Sequence, residues 1–296
     1  MPGRKLLDIC RSLPEKATLT VALEGDRATI RAGKSRFTLT TLPAGEFPVI
    51  DEIHEQQVIE IPQADLKRLL DKTHFSMAQQ DVRYYLNGML VESDGKMLRT
   101  VATDGHRLAL CETELSLGGQ HQQIIVPRKG VLELQRLLTG EGVVRLTIGT
   151  NHIRAQIGDI RFTSKLIDGR FPDYSRVIPA KPPRVVLADR DALRASLHRA
   201  AILSNEKYRG IRLTLRPGLL TIQAHNPEQE EAVEEVEVTY AGEELEVGFN
   251  VNYLLEALAA VDGTEVEIGL TDGNSSCLVH APGSASARYV VMPMRL

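Results

Sequence analysis

A repeat of about 125 residues constrains this chain more than any other feature of its sequence. The run Arg36-Phe37-Thr38 returns as Arg161-Phe162-Thr163, and Gly45-Glu46-Phe47-Pro48 returns as Gly169-Arg170-Phe171-Pro172. The run Ala287-Arg288-Tyr289-Val290 follows roughly one period later in the same alternating style. Recurrence at a fixed spacing is typical of a copied structural unit, so the sequence predicts a tandem array of similar domains.

Each period contains two copies of a smaller pattern, in which a strand leads through a short joint into an amphipathic helix. The strand 58–62 is followed by Leu66, Leu69 and Leu70, whose spacing marks one face of a helix. Short alternating runs then follow, separated by turn signals such as Asp94-Gly95. The predicted half-unit is therefore β-α-β-β-β. Its helices are expected near 4–13, 65–73, 128–138, 191–201 and 252–261. Their starts are predicted by the N-cap residues Asp189 and Asn250 and by the prolines Pro62 and Pro127.

Five half-units predict an α+β protein of two and a half domains. We expect domains at 1–56, 57–183 and 184–296. The first predicted domain carries one half-unit where the others carry two, and it lacks the leading strand of that half-unit. By the period of the repeat, roughly 70 residues of the first domain would precede Met1.

The composition favours a folded intracellular protein. Hydrophobic residues make up 43% of the chain, which is enough for a core, and the absence of Trp predicts an aliphatic one. Cys10, Cys111 and Cys277 are widely spaced and odd in number, which predicts buried small residues in a reducing cytosol and not disulfides or metal ligands. No apolar run reaches transmembrane length and no signal peptide opens the chain, so a cytoplasmic location is expected.

The net charge of −4 by itself argues against a nucleic-acid-binding protein. The distribution of charge points the other way, because the predicted helices together carry about +4 and the remainder about −8. If all helices face one side, that side is positive and the sheets are negative. The alternative is that the charged residues only solvate the helices.

The search for catalytic and cofactor motifs identifies one segment, Thr103-Asp104-Gly105-His106-Arg107. Asp-Gly between two alternating runs first predicts a hairpin turn. A hydrolase using Asp104 and His106 is the alternative, and it would need a third partner. The Gly33-Lys34-Ser35 run lacks the leading glycine of a phosphate loop, since position 28 is Ala28, and neither cofactor nor metal ligation is predicted. Without a base-reading helix, any DNA binding should be directed at the backbone.

The chain ends on a mostly apolar run, Tyr289-Val290-Val291-Met292-Pro293-Met294-Arg295-Leu296. One interpretation is a last strand that belongs to the core. The other is that Pro293 stops the strand and the two Met side chains line an adaptable groove.

The chain closely resembles the bacterial DNA polymerase sliding clamps. The run Thr100-Val101-Ala102-Thr103-Asp104-Gly105-His106-Arg107-Leu108-Ala109 carries much of the resemblance. Further matching stretches lie at 75–77, 81–88, 162–165, 168–174, 201–207, 226–232, 248–251 and 289–296. The resemblance implies a head-to-tail homodimeric ring of six domains, with helices lining a pore and antiparallel sheets outside. It also implies double-stranded DNA, the clamp loader and the replicative polymerase as partners, without catalysis, and a circular-DNA retention assay would separate this function from a hydrolase.

The resemblance further implies three sets of site residues. A partner-peptide groove is expected from Leu86, Thr103, Gly105, His106, Arg107, Leu108, Pro172, Arg176, Val177, Asn250, Tyr253, Ser276, Val290, Val291, Met292, Pro293, Met294, Arg295 and Leu296. DNA contacts are expected from Arg4, Gln80, Tyr84, Tyr85, Arg128 and Lys129. The ring interface is expected from Phe37 and Leu39 on one side and from Ile202 and Leu203 on the other. Asn274 stands where the family usually has an apolar residue, so one groove wall is expected to be more polar here.

Overall fold

A computed structural model describes residues 1–47, 53–115 and 121–295. The chain divides into two compact units, Met1–Glu52 and Ile53–Leu296. The first unit contains helix α1 (Gly3–Ser12) and an antiparallel sheet of β1 (Thr20–Glu24), β2 (Arg27–Ala32) and β3 (Ser35–Thr40), in the order β1-β2-β3. Ala28, Ile30 and Ala32 alternate along β2 and form its buried apolar face, and the intervening Thr29 is buried as well.

The second unit contains four half-units. The first two comprise β4 (Glu55–Pro62), α2 (Gln63–Asp71), β5 (Gly88–Ser93), β6 (Met97–Thr103), β7 (Arg107–Glu114), β8 (Gln122–Pro127), α3 (Arg128–Leu137), β9 (Val143–Gly149), β10 (His152–Ile157) and β11 (Ile160–Lys165). The last two comprise β12 (Arg184–Asp189), α4 (Arg190–Ala201), β13 (Gly210–Arg216), β14 (Leu219–His225), β15 (Glu231–Glu237), β16 (Leu245–Asn250), α5 (Val251–Ala260), β17 (Glu265–Leu270), β18 (Cys277–His280) and β19 (Ala287–Val291). The predicted β-α-β-β-β order is confirmed in all four.

The predicted helices all form, each within two residues of its expected start. The Asp189 side chain accepts a hydrogen bond from the Ala192 amide at 2.7 Å, and Asn250 accepts one from Asn252 at 2.9 Å, so both predicted N-caps are confirmed. Helix α2 starts two residues earlier than expected because Pro62 occupies its N-cap position. Among the described residues, no helix is both long and apolar enough to cross a membrane.

One sheet runs through both halves of the second unit. Its eight described strands have the order β12-β17-β18-β19-β7-β6-β5-β8, and four-stranded sheets flank it with the orders β11-β10-β9-β4 and β15-β14-β13-β16. Strand β19 pairs with β18 on one side and with β7 on the other, where Val290 lies opposite Leu108. The last strand is therefore part of the core sheet, and it joins two predicted domains edge to edge.

The two faces of the eight-stranded sheet bury different residues. One face packs against the helices in two large apolar clusters. The other face carries a smaller cluster, here called the outer cluster, made of Leu90, Val101, Leu108, Leu110, Ile125, Phe171, Leu278 and Val290. Strand alternation separates neighbours, so Tyr289 and Val291 lie on the helix side while Val290 lies in the outer cluster.

The four helices of the second unit are linked side by side. The Lys67 ammonium donates to the carbonyl of Gln135 at 3.4 Å, which connects α2 with α3, and α4 packs against α5. The Lys72 ammonium joins the two pairs, since it donates to the Ala260 carbonyl at 2.6 Å and lies 2.5 Å from the Asp262 carboxylate. Within this unit, the helices thus lie side by side on one face, which is the condition under which the charge distribution predicts a positive side.

A buried carboxylate anchors the segment between the two predicted domains. Glu92 is 6% exposed and accepts hydrogen bonds from the Tyr174 hydroxyl, from His121 Nε2 at 2.8 Å and from Gln123 Nε2 at 3.1 Å. Burial alone would raise the pKa of Glu92, but the bonds from Tyr174, His121 and Gln123 outweigh it and lower this pKa. Glu92 is therefore held as a carboxylate that fixes Tyr174 over the sheet.

The lowered pKa predicts a pH-dependent contribution to stability. Because the folded pKa lies below the ordinary value of 4.5, Glu92 stabilises the fold above about pH 4.5, and this contribution disappears as the pH falls through the folded pKa. Glu92→Gln should cost about 1–2 kcal/mol at pH 7 because the network loses its charged acceptor. Thermal melting at pH 7 and pH 3 tests this expectation. A difference between variant and wild type that does not shrink at pH 3 would contradict it.

Candidate functional site

The segment Thr103-Asp104-Gly105-His106-Arg107 forms the hairpin between β6 and β7. Asp104 Oδ1 accepts hydrogen bonds from the amides of His106 at 2.9 Å and Arg107 at 3.0 Å, and its Oδ2 lies 3.1 Å from Arg107 Nε. Thr103 Oγ1 donates to the Arg107 carbonyl at 2.6 Å and accepts from the Gly105 amide at 3.1 Å. These contacts give Asp104 the role of a turn residue, which is the hairpin interpretation of this motif.

Gly105 is required at the tip of this hairpin. Its φ of +87° lies in the left-handed region that favours glycine. A Cβ at this position would lie only 3.0 Å from the Arg83 guanidinium, which also donates to the Asp104 carbonyl at 3.2 Å. The hairpin tip is thus fixed by backbone conformation and by a side chain from a neighbouring loop.

An aromatic wall stands beside the hairpin. The His106 ring stacks on Tyr253 of α5, with the centroids 6.4 Å apart and the planes inclined by 18°. Burial raises the pKa of the Tyr253 hydroxyl, so this ring is neutral at physiological pH. Arg107 lies behind the wall with its side chain only 12% exposed, because it alternates with Leu108 and points to the helix side. Sequence reasoning placed Arg107 among the groove-lining residues, and the structure places it beneath them.

The outer cluster forms an apolar floor next to this wall. Leu108 and Val290 are buried side by side in it, and the partly buried Val177 and Tyr85 pack against it. Val291 is placed on the opposite face of the sheet, so its side chain does not share this floor. Leu86 is likewise buried. Of the expected linker residues, Pro172 is exposed, and the exposed Arg176 pairs with Asp173 at 2.9 Å.

The C-terminal residues complete the site. Strand β19 ends at Val291, after which the Met292 amide donates to the His106 carbonyl at 2.9 Å and the Met294 amide donates to the Gly248 carbonyl at 2.9 Å. Met292, Pro293 and Met294 are half-buried, and Arg295 is exposed. The tail is therefore a core strand up to Val291, followed by a separate segment, and a groove lined by Met292 and Met294 stays a prediction. Leu296 lies outside the described residues.

The remaining expected groove residues come from the last predicted domain. Asn250 caps α5 and donates to the Tyr208 carbonyl at 3.2 Å. The register of β18 with β19 sets Cys277 opposite Val291, and the half-buried Ser276 directly precedes Cys277. Asn274 is exposed, and its amide donates to Asp272 at 2.8 Å. The hairpin, the linker, the tail and the start of α5 thus converge in one region of the second unit.

The expected DNA contacts in the second unit share one loop and one helix start. Gln80 is exposed with a φ of +56°, and Tyr84 is 56% exposed with its ring 5.8 Å from that of Tyr85. Arg128 and Lys129 begin α3. Asn87 ties the two elements together, because it exchanges hydrogen bonds with the Asp81 backbone at 2.9 Å and accepts from the Arg128 amide at 3.0 Å.

A single salt bridge stiffens this loop. Arg83 binds Asp81 through two nitrogens at 3.0 and 2.9 Å, and the hydrogen bond from Arg83 lowers the pKa of Asp81 to about 2. The sixth expected DNA contact, Arg4, lies on α1 of the first unit and is exposed.

The expected interface residues lie on separate units. Phe37 and Leu39 are half-buried on β3, which is an edge strand among the described residues. Ile202 follows α4 and is 75% exposed, while Leu203 is half-buried.

Sequence reasoning missed the residues that support this site from behind. Glu256 and Phe75 contact Arg107, and Glu92 holds Tyr174, although none of them lies near its contact in the sequence. No local pattern could have found these pairs. In the ranges that the structure describes, no group of three or more His, Cys, Asp or Glu residues could hold a metal ion. Cys111 and Cys277 are buried as predicted, but the prediction is wrong for Cys10, which is exposed because α1 buries none of its residues.

Comparison with known proteins covers the whole chain. Family profiles of the DNA polymerase III beta subunit match in order, with the N-terminal domain at residues 1–51, the central domain at 60–173 and the C-terminal domain at 175–295. The beta sliding clamp of Proteus mirabilis is 56% identical over all of this chain and 81% of its own length, and that of Escherichia coli K12 is 54% identical with the same coverage.

Solved structures agree with this assignment. A crystal structure of the DNA polymerase sliding clamp from Pseudomonas aeruginosa with ligand matches at a TM-score of 0.92 and 55% identity, over 100% of this chain and 81% of that one. A beta sliding clamp from C. crescentus matches at 0.93 and 41% identity with the same coverage. The chain therefore belongs to the DNA polymerase III beta subunit family, the beta sliding clamps.

Proposed function

We propose that this protein encircles duplex DNA as a sliding clamp and holds the replicative DNA polymerase on its template. The match to beta sliding clamps over the full length of the chain carries this proposal. The protein acts as a non-catalytic accessory subunit, with no cofactor, in the cytoplasm. Retention on closed circular DNA, followed by release when the circle is cut, tests this function.

DNA is bound through its backbone and without sequence preference. The proposed contacts are Arg4, Gln80, Tyr84, Tyr85, Arg128 and Lys129. Two of them open α3, where the helix dipole favours phosphate. Tyr85 also packs against the outer cluster, so it is proposed both to contact DNA and to support the floor of the groove. Contacts of this kind are weak and sensitive to salt, so they suit a protein that slides.

Partner proteins bind as short peptides in a groove of the second unit. Its proposed floor is Leu108, Val290 and Val177, which offer an apolar pocket, and its proposed wall is His106 with Tyr253. Leu86, Thr103, Gly105, Pro172, Arg176, Asn250, Ser276 and residues 292–296 complete the proposed set. The proposed partners that carry such peptides are the clamp loader and the replicative polymerase.

The proposed domain boundaries are 1–56, 57–183 and 184–296.

The proposed assembly is a head-to-tail homodimeric ring, in which Phe37 and Leu39 of one chain meet Ile202 and Leu203 of the other. Ile202→Lys should weaken self-association by about tenfold or more, because it puts a charge where an apolar side chain is to be covered. The melting temperature of the separated chain should hardly change, since Ile202 is exposed and Lys suits a helix C-terminus.

Sedimentation equilibrium measures this effect. Val82→Lys is the matched control, because Val82 is also an exposed apolar residue but lies outside the proposed interface. Equal association of Ile202→Lys and wild type would remove Ile202 from the interface, and a wild type that is monomeric at micromolar concentration would contradict the proposed dimer.

A further inference from the structure

Arg107 supports the aromatic wall of the proposed groove from behind. Its guanidinium carbon lies 4.6 Å from the centroid of the Tyr253 ring and 5.6 Å from that of Phe75, so the guanidinium contacts both rings. Its Nη2 donates to the Phe75 carbonyl at 2.8 Å, and its Nη1 pairs with the Glu256 carboxylate of α5. Five donors in a planar fork allow one Arg side chain to make all these contacts at once.

The position of Arg107 makes it a support and not a contact surface. It belongs to the hairpin of one predicted domain, whereas Tyr253 and Glu256 belong to the helix of the next. Because Tyr253 stacks on His106, a shift of Arg107 would move both rings of the aromatic wall. The Asp104 carboxylate holds Arg107 from its own hairpin at 3.1 Å, so Glu256 is the charged group that ties it to the other domain.

We propose that the Arg107–Glu256 pair sets the geometry of the partner-peptide groove, with Glu256 as a positioning residue that lies outside the groove. This inference rests on the proposed peptide groove. Glu256 acts through Arg107 on Tyr253 and His106, and its side chain is 47% exposed on the helix side of the sheet. Peptide affinity should therefore depend on a residue that the peptide never touches.

Another ion pair across the same junction provides a matched control. The Lys72–Asp262 pair also connects the two predicted domains on the helix side, at 2.5 Å, but its contacts do not include the aromatic wall. Glu256→Ala and Asp262→Ala remove the same charge and break one cross-domain pair each. In each variant the remaining cation keeps another acceptor, which is Asp104 for Arg107 and the Ala260 carbonyl for Lys72.

The experiment measures the dissociation constants of two synthetic peptides by fluorescence anisotropy. One is a full clamp-binding peptide from the replicative polymerase, and the other retains only its apolar anchor residues. Glu256→Ala should raise the dissociation constant of the full peptide about tenfold, which is the effect expected from the loss of one good contact. The dissociation constant of the anchor peptide should stay within about twofold of the wild-type value. Asp262→Ala should leave both peptides near wild type.

The outcomes separate this inference from the function on which it rests. Failure of the wild type to bind the full peptide would overturn the proposed groove itself. Normal binding by wild type together with unchanged binding by Glu256→Ala would overturn only the positioning role. An equal loss in Asp262→Ala, or an equal loss for the two peptides, would assign the effect to a general loosening of the junction and would also overturn the inference.

Discussion

Deletion of residues 292–296 should weaken the binding of a polymerase-derived peptide by at least about 100-fold, which corresponds to about 2.7 kcal/mol. Short peptides bind through one or two apolar anchors in a preformed pocket, and such anchors carry most of the energy. Met292 and Met294 are half-buried beside the hairpin and β16, so the deletion removes one side of the proposed pocket.

The same deletion should leave the fold nearly intact. Strand β19 ends at Val291, and its pairing with β7 and β18 does not involve the deleted residues. The tail gives the core two backbone hydrogen bonds, from Met292 and Met294, each worth about 1 kcal/mol. The melting temperature should therefore fall by only a few degrees.

Titration of a labelled peptide and thermal melting of the truncated chain test both halves of this expectation. The substitution Met294→Ala is a milder control, because it keeps the backbone bonds and should lose only part of the affinity. A large fall in melting temperature would mean that the tail mainly serves the core. Normal folding with normal peptide binding would mean that the pocket is assigned wrongly.

The second large effect concerns DNA. After loading, the protein should stay on a nicked circular plasmid at about 200 mM salt and leave the same plasmid within minutes of its linearisation, so that retention differs by about tenfold or more. The proposed contacts are modest in number and directed at phosphates, and binding of this kind typically has dissociation constants of 10⁻⁴ to 10⁻⁶ M at physiological salt, about the range expected here. Tight retention must then come from topology.

Gel filtration of the loaded complex before and after cutting measures this difference. The same plasmid cut at a single site before loading serves as the control. Equal retention on circular and linear DNA would contradict encirclement. Loss of the protein from both the circular and the linear plasmid at moderate salt would show that contact energy alone holds it on DNA. That outcome would also contradict encirclement.

Local sequence was sufficient for the individual elements. The helices follow from apolar residues three and four apart, and the N-caps Asp189 and Asn250 follow from side chains that reach an amide two or three residues away. The Asp104-Gly105 turn follows from the conformational freedom of glycine. These features depend on residues within about one helical turn of each other, so they can be predicted from the local sequence.

The contacts between distant elements were decided only by the tertiary structure. The sequence predicted a strand at the end of the chain, but it did not reveal that β19 lies between β18 and β7 or that Val290 meets Leu108. Arg107 and Glu256 lie 149 residues apart and carry no signal that pairs them. Such contacts depend on which sheet edges and helix faces meet when all apolar surfaces are buried together. The repeat therefore determined the β-α-β-β-β half-units, and packing between the half-units of the second unit brought the proposed groove residues together.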